Sequence, residues 1–484
     1  MDATAALTYA EKLYSRLDAR RPAVEELDNY YEGKQPLAYA SREWADWHKD
    51  RYVGFSDNWC GVVGNSPAER LRLKGVRVGD KGSTAGDELW NDWQRNAGDM
   101  QSSQGLLESI VATTSYVIVW GDPKTDEPIF TWEHPSQVLI DYAPGNSRVK
   151  LGMVKAWVDG GKEYLTLYLD DGLWKWQRNT TVRMESPTRT ESGLHVTGRS
   201  LQIGGWEPRQ EKDDDAWPIP NPMGEVPGVE FANRPRLGRA PISDIAGTKA
   251  MQDAINLLWA YLFTSADHAS FPARVVLGAE PPKIPILDET GQKIGEKPVD
   301  IKELAHGRFM WLTGQNAKIA QFDAASLEVF TKVIEIAVGH IAAQTRTPPH
   351  YLVTNGGLSN LSGDALVAAE TGLVKKVEEQ QLFFGTSVRD LFRLMALARD
   401  EKGLAGKMRT AHVQWANAAM RSDAQLADAL VKKRQIGYPF EYLLELDGLG
   451  PEDVKRVVAM KRAEETDPLF EQVARPVQVG EGVA

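Results

Sequence analysis

The segment from 246 to 270 constrains the fold of this chain more than any other part of the sequence. Apolar residues recur in it at helical spacing and form one stripe: Met251, Ala254, Ile255, Leu258 and Leu262. Three aromatic residues widen this stripe nearly all the way round the helix: Trp259, Tyr261 and Phe263. A helix this apolar must be buried on most of its faces. It is therefore either the central helix of a monomer's core or a helix packed between neighbouring copies, and the pattern favours neither.

The composition is that of an ordinary globular protein. A chain of 484 residues with 42% apolar content can bury a large core and is expected to form more than one domain. The longest apolar run covers only 257–263, whereas a membrane span needs about 20 residues. The amino terminus shows no signal-peptide pattern, and the single cysteine, Cys60, excludes an intrachain disulfide. We therefore expect assembly in the cytoplasm and no contact with a membrane.

The first half of the sequence predicts helices together with a small antiparallel sheet. The apolar spacing from 5 to 31 predicts helix, with Pro22 starting a second helix. Residues 164–170 and 173–177 form a predicted hairpin around the turn at Asp171 and Gly172, and 150–158 is a neighbouring strand. This half is therefore α+β.

The second half is mostly helical. Helix 246–270 is followed by a module of short strands over 271–323 and by a second helix over 324–345. A loop at 346–361 begins with Pro348 and Pro349, which cannot continue a helix. A long helix over 362–400 and a helical carboxy-terminal region over 401–484 complete the chain. The predicted fold class is α+β, mostly helical.

The sequence contains no motif that would support catalysis. The phosphate-binding pattern G-x-x-x-x-G-K-[ST] and the nucleophile elbow G-x-S-x-G are both absent, and the eight histidines form no i, i+4 pair on a helix. We therefore expect a protein that is not an enzyme, with no cofactor and no catalytic or metal-binding residues. Acidic residues far apart in the chain could still meet in a two-metal nuclease site, although nothing in the sequence favours one.

Three segments, in this order, resemble the portal protein of long-tailed (siphovirus-type) bacteriophages. They are Asn233-Arg-Pro-Arg-Leu-Gly-Arg239 with the helix after it, Thr345-Arg-Thr-Pro-Pro-His-Tyr351, and Leu361-Ser-Gly-Asp-Ala-Leu366. The resemblance implies an α/β wing, a two-helix stem, a small α/β clip, a tunnel loop and a helical crown. Carried over, the wing is 1–240 with the long helix 362–400, the stem helices are 241–270 and 324–345, the clip is 271–323, the tunnel loop is 346–361, and the crown with a carboxy-terminal tail is 401–484.

The family implies a structural role in the virion. Its members form a homo-oligomeric ring, here expected to be a dodecamer, at the unique vertex of the capsid. The ring is a channel for packaging and ejecting double-stranded DNA without reading its sequence. It is also the docking platform for the terminase large subunit, the head–tail adaptor, and the major capsid and scaffolding proteins. Assembly is expected in the host cytoplasm.

The resemblance also suggests which residues contact DNA or neighbouring copies. The tunnel loop would offer neutral groups to DNA through Thr354, Asn355, Gly356, Gly357, Ser359 and Asn360, which ordinary turn chemistry explains equally well. The polar stripe of the first stem helix would face solvent or the channel through Asp253, Asn256 and Asp267. Packing between copies would involve Leu258, Trp259, Leu262, Phe330 and Ile334.

The sequence leaves two other functions open. The net charge of −11 excludes a tight, non-specific DNA binder, because counterion release requires clustered Lys and Arg. An acidic lining suits DNA that must slide, but the same charge also fits another phage head structural or minor capsid protein. A metal-dependent DNA-processing enzyme is the second alternative, and turnover on DNA would identify it.

Overall fold

A computed structural model of the chain describes most of its residues. The described residues are 1–37, 55–79, 86–122, 125, 127–182, 188–190, 193–195, 200–210, 216–270, 274–277, 283–287, 291–298, 309–312, 318–321, 326–352, 363–419 and 423–466. Helices and strands both contribute to the core, which confirms the predicted α+β class.

The amino-terminal half contains four described helices and twelve of the described strands. The helices are α1 (Ala3–Glu32), α2 (Trp59–Ala68), α3 (Asp87–Arg95) and α4 (Gly98–Ala112). The strands are β1 (Leu73–Arg77), β2 (Thr114–Gly121), β3 (Pro128–Glu133), β4 (Val138–Ala143), β5 (Asn146–Asp159), β6 (Lys162–Tyr168), β7 (Gly172–Val182), β8 (Thr188–Thr190), β9 (Gly193–His195), β10 (Ser200–Pro208), β11 (Ile219–Pro220) and β12 (Gly228–Ala232).

Helix α1 is continuous through Pro22, so the prediction that this proline starts a second helix is wrong. A proline inside a helix removes one backbone hydrogen bond and costs about 3 kcal/mol. Both halves of α1 are held by packing: Leu13 and Leu17 lie against the sheet, whereas Leu27 and Tyr30 lie in a second core with α2. This burial on either side keeps the helix continuous through the proline.

The predicted hairpin is confirmed at the centre of the largest sheet. Strands β6 and β7 pair antiparallel with Tyr168 opposite Leu173, and β5 pairs with β6 as predicted. The sheet has the order β10-β7-β6-β5-β4, with β11 also paired to β7. A second sheet, β12-β2-β3, leads from β12 into the loop that precedes the next helix.

The carboxy-terminal half is organised by three helices. They are α5 (Lys249–Ser270), α6 (Glu328–Thr345) and α8 (Gly363–Ala398), with the single turn α7 (Pro349–Leu352) between the last two. Between α5 and α6 lie β13 (Arg274–Leu277), β14 (Lys283–Leu287), β15 (Lys293–Pro298), β16 (Phe309–Leu312) and β17 (Lys318–Gln321). The remaining elements are α9 (Lys402–Met408), β18 (His412–Trp415), α10 (Asp423–Gln435), α11 (Phe440–Asp447) and α12 (Pro451–Thr466).

Helix α8 crosses the largest apolar core that the described residues form. Its Leu373, Phe384 and Phe392 are fully buried together with Trp93 and Phe130 from the amino-terminal half. Strand β18 returns to pair with β1, so the carboxy-terminal region is joined to the amino-terminal half by a two-stranded sheet. The α5–α6 pair instead packs on α1 and α2 in a separate core.

Candidate functional site

The polar side chains in the first half of α5 point into the chain. Asp253 is 6% exposed, and its carboxylate accepts a hydrogen bond from the Tyr30 hydroxyl at 2.8 Å. Asn256 is 2% exposed, and its side-chain oxygen accepts the backbone N–H of Asp57 at 3.0 Å. The prediction that Asp253 and Asn256 face solvent or a channel is therefore wrong. Asp267, near the other end of α5, is half-buried, and its role stays a prediction.

Segment 55–59 explains why these polar groups are buried. It lies along α5 and presents backbone groups that need partners once they leave water. Gln252 accepts the backbone N–H of Trp59 at 2.8 Å and donates to the carbonyl of Asp57 at 2.6 Å. The polar stripe of α5 therefore satisfies a chain segment about 200 residues away in the sequence.

The residues predicted to pack between copies are covered to different degrees by their own chain. Leu262 and Ile334 are buried within the chain, so they do not need a neighbour, and their assignment to a contact between copies is wrong. The cause is that α5 and α6 pack against each other. Leu258 and Trp259 are partly buried, with the indole N–H of Trp259 donating to Asp57 at 2.7 Å, and Phe330 is half-buried. Contacts of these three with another copy stay predictions.

A stripe of exposed apolar residues runs along α6. Val329, Val333 and Ile336 are 60%, 44% and 61% exposed, and their spacing puts them on one face of the helix. The opposite face is buried through Ile334, Val338 and Ile341. Helical spacing in the sequence could have revealed this outer stripe, because α6 has more apolar positions than one buried face requires. We call Val329, Val333 and Ile336 the α6 stripe.

All six predicted tunnel-loop contacts lie outside the described residues: Thr354, Asn355, Gly356, Gly357, Ser359 and Asn360. The chain just before them is held firmly. The Tyr351 hydroxyl accepts from Arg70 at 2.6 Å, and Arg70 also lies 3.2 Å from the Glu370 carboxylate. Arg70 further donates to the carbonyl of Ala418 at 2.9 Å. One nearly buried guanidinium therefore joins α7, α8 and the segment after β18.

A second buried ion pair fixes the ends of α5 and α6 to α8. The Lys376 ammonium lies 2.6 Å from the Asp244 carboxylate, which is fully buried just before α5. The same ammonium donates to the carbonyl of Thr345, the last residue of α6, at 3.2 Å. Gln380 also donates to Asp244 and to Asn233. Neither this pairing nor that of Arg70 could be predicted, because the partners are far apart in sequence.

Asp28, Glu108 and His134 form a half-buried cluster whose ligand atoms lie within 4.8 Å of one another. His134 Nε2 is 2.9 Å from Glu108 and 3.4 Å from Asp28, while Nδ1 lies 2.6 Å from the Ser136 hydroxyl oxygen. Burial alone would lower the pKa of His134, but the two carboxylates raise it to about 9. An imidazolium between two carboxylates accounts for the arrangement and ties α1 to α4.

No helix within the described ranges combines the length and apolar character that crossing a bilayer requires.

Known proteins similar to this chain were found by sequence and by structure. The family described as "Phage portal protein, SPP1 Gp6-like" matches residues 10–445. The portal proteins of Mycobacterium phage L5 and Mycobacterium phage D29 are each 27% identical over 384 residues, which covers 76% of this chain and 70% of theirs.

Among solved structures, the chain is similar to the neck of a native gene transfer agent particle computed with C12 symmetry. The TM-score is 0.40 at 14% identity, covering 87% of this chain and 96% of the other. The neck of the empty particle, computed with C6 symmetry, gives a TM-score of 0.40 at 12% identity.

The family match spans nearly the whole chain and includes all three segments that resemble the phage portal protein. The chain belongs to the SPP1 Gp6-like family of phage portal proteins.

Proposed function

We propose that twelve copies of this chain form a closed ring at one capsid vertex, with double-stranded DNA passing through its centre. Family membership supports a portal, and the α6 stripe is the observation within the chain that carries the ring. Exposing three large apolar side chains on one helical face to water is unfavourable, by about 25 cal/mol for each Å² of apolar surface left uncovered. A neighbouring copy that covers the stripe removes this cost.

In the proposed ring, α5 and α6 form the stem and 271–323 the clip, while 346–361 is the tunnel loop. The wing comprises 1–240 and 362–400, and the crown begins at 401. The anchors described above support this division, because they meet where these parts join. Lys376 holds the ends of both stem helices, and Arg70 holds the start of the loop. A loop with a fixed base can project its tip without moving the stem.

Passage of DNA requires contacts that are easily broken. The net charge of each copy is −11, so twelve copies carry about 12 × −11 = −132 formal charges before counterions bind. Such a ring has few cations to trap phosphates, and contacts to the DNA backbone carry no sequence information. The chain is therefore proposed to guide DNA, while an ATP-driven terminase supplies the energy.

The other partners follow from the same proposal. The clip would dock the terminase large subunit during packaging and the head–tail adaptor afterwards, and the wing would contact the major capsid and scaffolding proteins. The protein would be assembled in the host cytoplasm and remain in the virion.

Two measurements test the proposal. Native mass spectrometry of the purified chain should give one closed assembly near twelve subunits, with a central hole in negatively stained images. Deleting 355–357 should leave this ring intact, because the helices and sheets carry the burial, but should impair DNA packaging or retention. A stable monomer at micromolar concentration would contradict the ring, and normal DNA filling by the deletion variant would place the loop away from the DNA path.

A further inference from the structure

The loop between β12 and α5 carries charged and apolar groups into solvent. Residues 235–240 are exposed, and Leu237 at the tip is fully exposed, with a relative accessibility of 102%. The tip is a tight turn: the Arg239 N–H donates to the carbonyl of Arg236 at 3.3 Å, and Gly238 has a φ of +66°. Arg234, Arg236 and Arg239 flank the leucine. We call residues 234–240 the arginine loop.

The base of the arginine loop is rigid. The buried Asn233 side chain donates to the carbonyl of Ile242 at 2.8 Å and to the Asp244 carboxylate at 3.0 Å. Asp244 is itself paired with Lys376 on α8. Arg234 leans back toward Asp244 at 3.4 Å, so Arg236 and Arg239 are the cations presented with Leu237. The fold therefore displays a leucine between two arginines at a fixed position.

This combination indicates a protein partner with an acidic and partly apolar surface. Arginines alone would suit the phosphates of DNA, but a fully exposed leucine is stabilised only when an apolar surface covers it. The partner must bring carboxylates for Arg236 and Arg239 and an apolar group for Leu237. A chain with a net charge of −11 is itself a source of such surfaces.

The outer face of α8 has this chemistry. Glu378 and Glu379 are exposed, and Leu382, four residues after the first and three after the second, is 75% exposed. Lys375 pairs with Glu378 at 2.7 Å, so a docking arginine would compete with a lysine on the same face. Gln380 and Lys376 point inward to the base of the arginine loop. With about 100° of rotation per residue, Glu378 and Leu382 each lie about 160° from Gln380 around the helix.

We infer that the arginine loop of one copy docks on Glu378, Glu379 and Leu382 of the adjacent copy. The base of the arginine loop contacts Gln380 on one side of α8, whereas Glu378 and Leu382 lie on the far side. One chain therefore presents two different surfaces, as a head-to-tail contact requires. Such a contact, repeated from copy to copy, closes into a ring when the successive rotations add up to one full turn, as the proposed ring requires. The inference rests on the proposed ring and specifies a contact within it, separate from the α6 stripe.

Engineered cysteines provide the first test. The native Cys60 is buried, so Leu237→Cys with Leu382→Cys introduces the reactive pair. Oxidation of the assembled double variant should give a ladder of covalent multimers on a non-reducing denaturing gel, and a reductant should remove it. The single variants should not give the ladder. Leu237→Cys with Val158→Cys, a 39% exposed position on β5, is the matched control.

Charge reversal provides the second test. Arg236→Glu with Arg239→Glu, and separately Glu378→Arg with Glu379→Arg, should each raise the ring dissociation concentration by about tenfold or more through like-charge contact. The four changes together should restore assembly toward that of the native chain. Circular dichroism should show the same helical content for each variant, which separates loss of the contact from loss of the fold.

The outcomes distinguish the contact from the ring itself. Native rings without a cross-linked ladder, or with an equal ladder in the Val158 control, would overturn the contact and leave the portal proposal standing. Intact rings of Arg236→Glu with Arg239→Glu that lose only DNA retention would assign the loop to DNA and also overturn the contact. A native chain that remains monomeric would overturn the ring and this contact together.

Discussion

At the scale of single residues, Asp253 shows how a buried acid is tolerated. One oxygen accepts from the Tyr30 hydroxyl, while Oδ1 is buried without a hydrogen-bond partner among the described residues. Burial raises the pKa of this carboxyl, with smaller opposing effects from Tyr30 and Lys249. Ionisation therefore costs stability at neutral pH, and that cost disappears as the pH falls.

We predict opposite effects for two conservative changes at this pair. Tyr30→Phe leaves the carboxylate without its hydrogen bond and should lower the free energy of unfolding by about 1–3 kcal/mol. Asp253→Asn keeps an acceptor for Tyr30 and removes the charge, so it should maintain or raise stability at pH 7 and lose that advantage at acid pH. Urea unfolding of both variants at pH 7 and pH 4 tests this. A larger loss for Asp253→Asn than for Tyr30→Phe at pH 7 would contradict it.

The ion pairs of His134 should make the stability of the fold depend on pH as well. They stabilise the fold at lower pH and stop doing so as the pH rises. The pKa of His134 is raised in the folded chain to about 9, from 6.5, so its ion pairs stabilise the fold fully below about pH 6.5. That contribution is lost as the pH rises through 9. The difference in melting temperature between the native chain and His134→Gln should therefore be largest near pH 6 and shrink above pH 9. Ser103→Ala, a change away from the cluster, is the control and should show no such trend.

At the scale of elements, the α6 stripe gives the prediction closest to the proposed function. Replacing Val329, Val333 and Ile336 by glutamine should preserve the helix, because glutamine is a good helix former and these positions are exposed. The variant should remain folded by circular dichroism but shift from ring to smaller species by native mass spectrometry. Lys332→Gln with Glu335→Gln, exposed on the same helix outside the stripe, is the matched control. Rings of normal stability in the triple variant would show that α6 meets its neighbour elsewhere.

The elements that the sequence predicted correctly are those set by local rules. The β6–β7 hairpin depends on a short turn and alternating side chains, and α5, α6 and α8 follow from apolar periodicity. The errors arose where distant segments decide the outcome. Pro22 stays inside α1 because two separate cores hold its halves, and Asn256 is buried because segment 55–59 covers it. The candidate site contains features of both origins. Its helices could be predicted from the sequence, whereas the buried contacts of Arg70 and Lys376 could be identified only from the structure.

At the scale of the whole molecule, the chain joins distant parts through a few buried charges. Arg70 connects the loop base to α8 and to the segment after β18, while Lys376 connects α8 to the ends of α5 and α6. Removing one partner of a buried pair typically costs 3–5 kcal/mol, because it leaves the other charge uncompensated. A rigid frame of this kind suits a protein whose proposed role is to hold a channel open while another protein does the work.

The last prediction is that the assembled protein turns over neither ATP nor DNA. The sequence has no phosphate-binding loop, and within the described ranges the cluster that could hold a metal is Asp28, Glu108 and His134. Its imidazolium already neutralises part of the carboxylate charge, so a divalent ion would first have to displace a proton whose pKa is about 9. Purified rings should therefore release no phosphate from ATP and leave duplex DNA intact in Mg²⁺ or Mn²⁺. DNA cleavage that persists through further purification and is abolished by Asp28→Asn or His134→Gln would show that the cluster is a catalytic metal site.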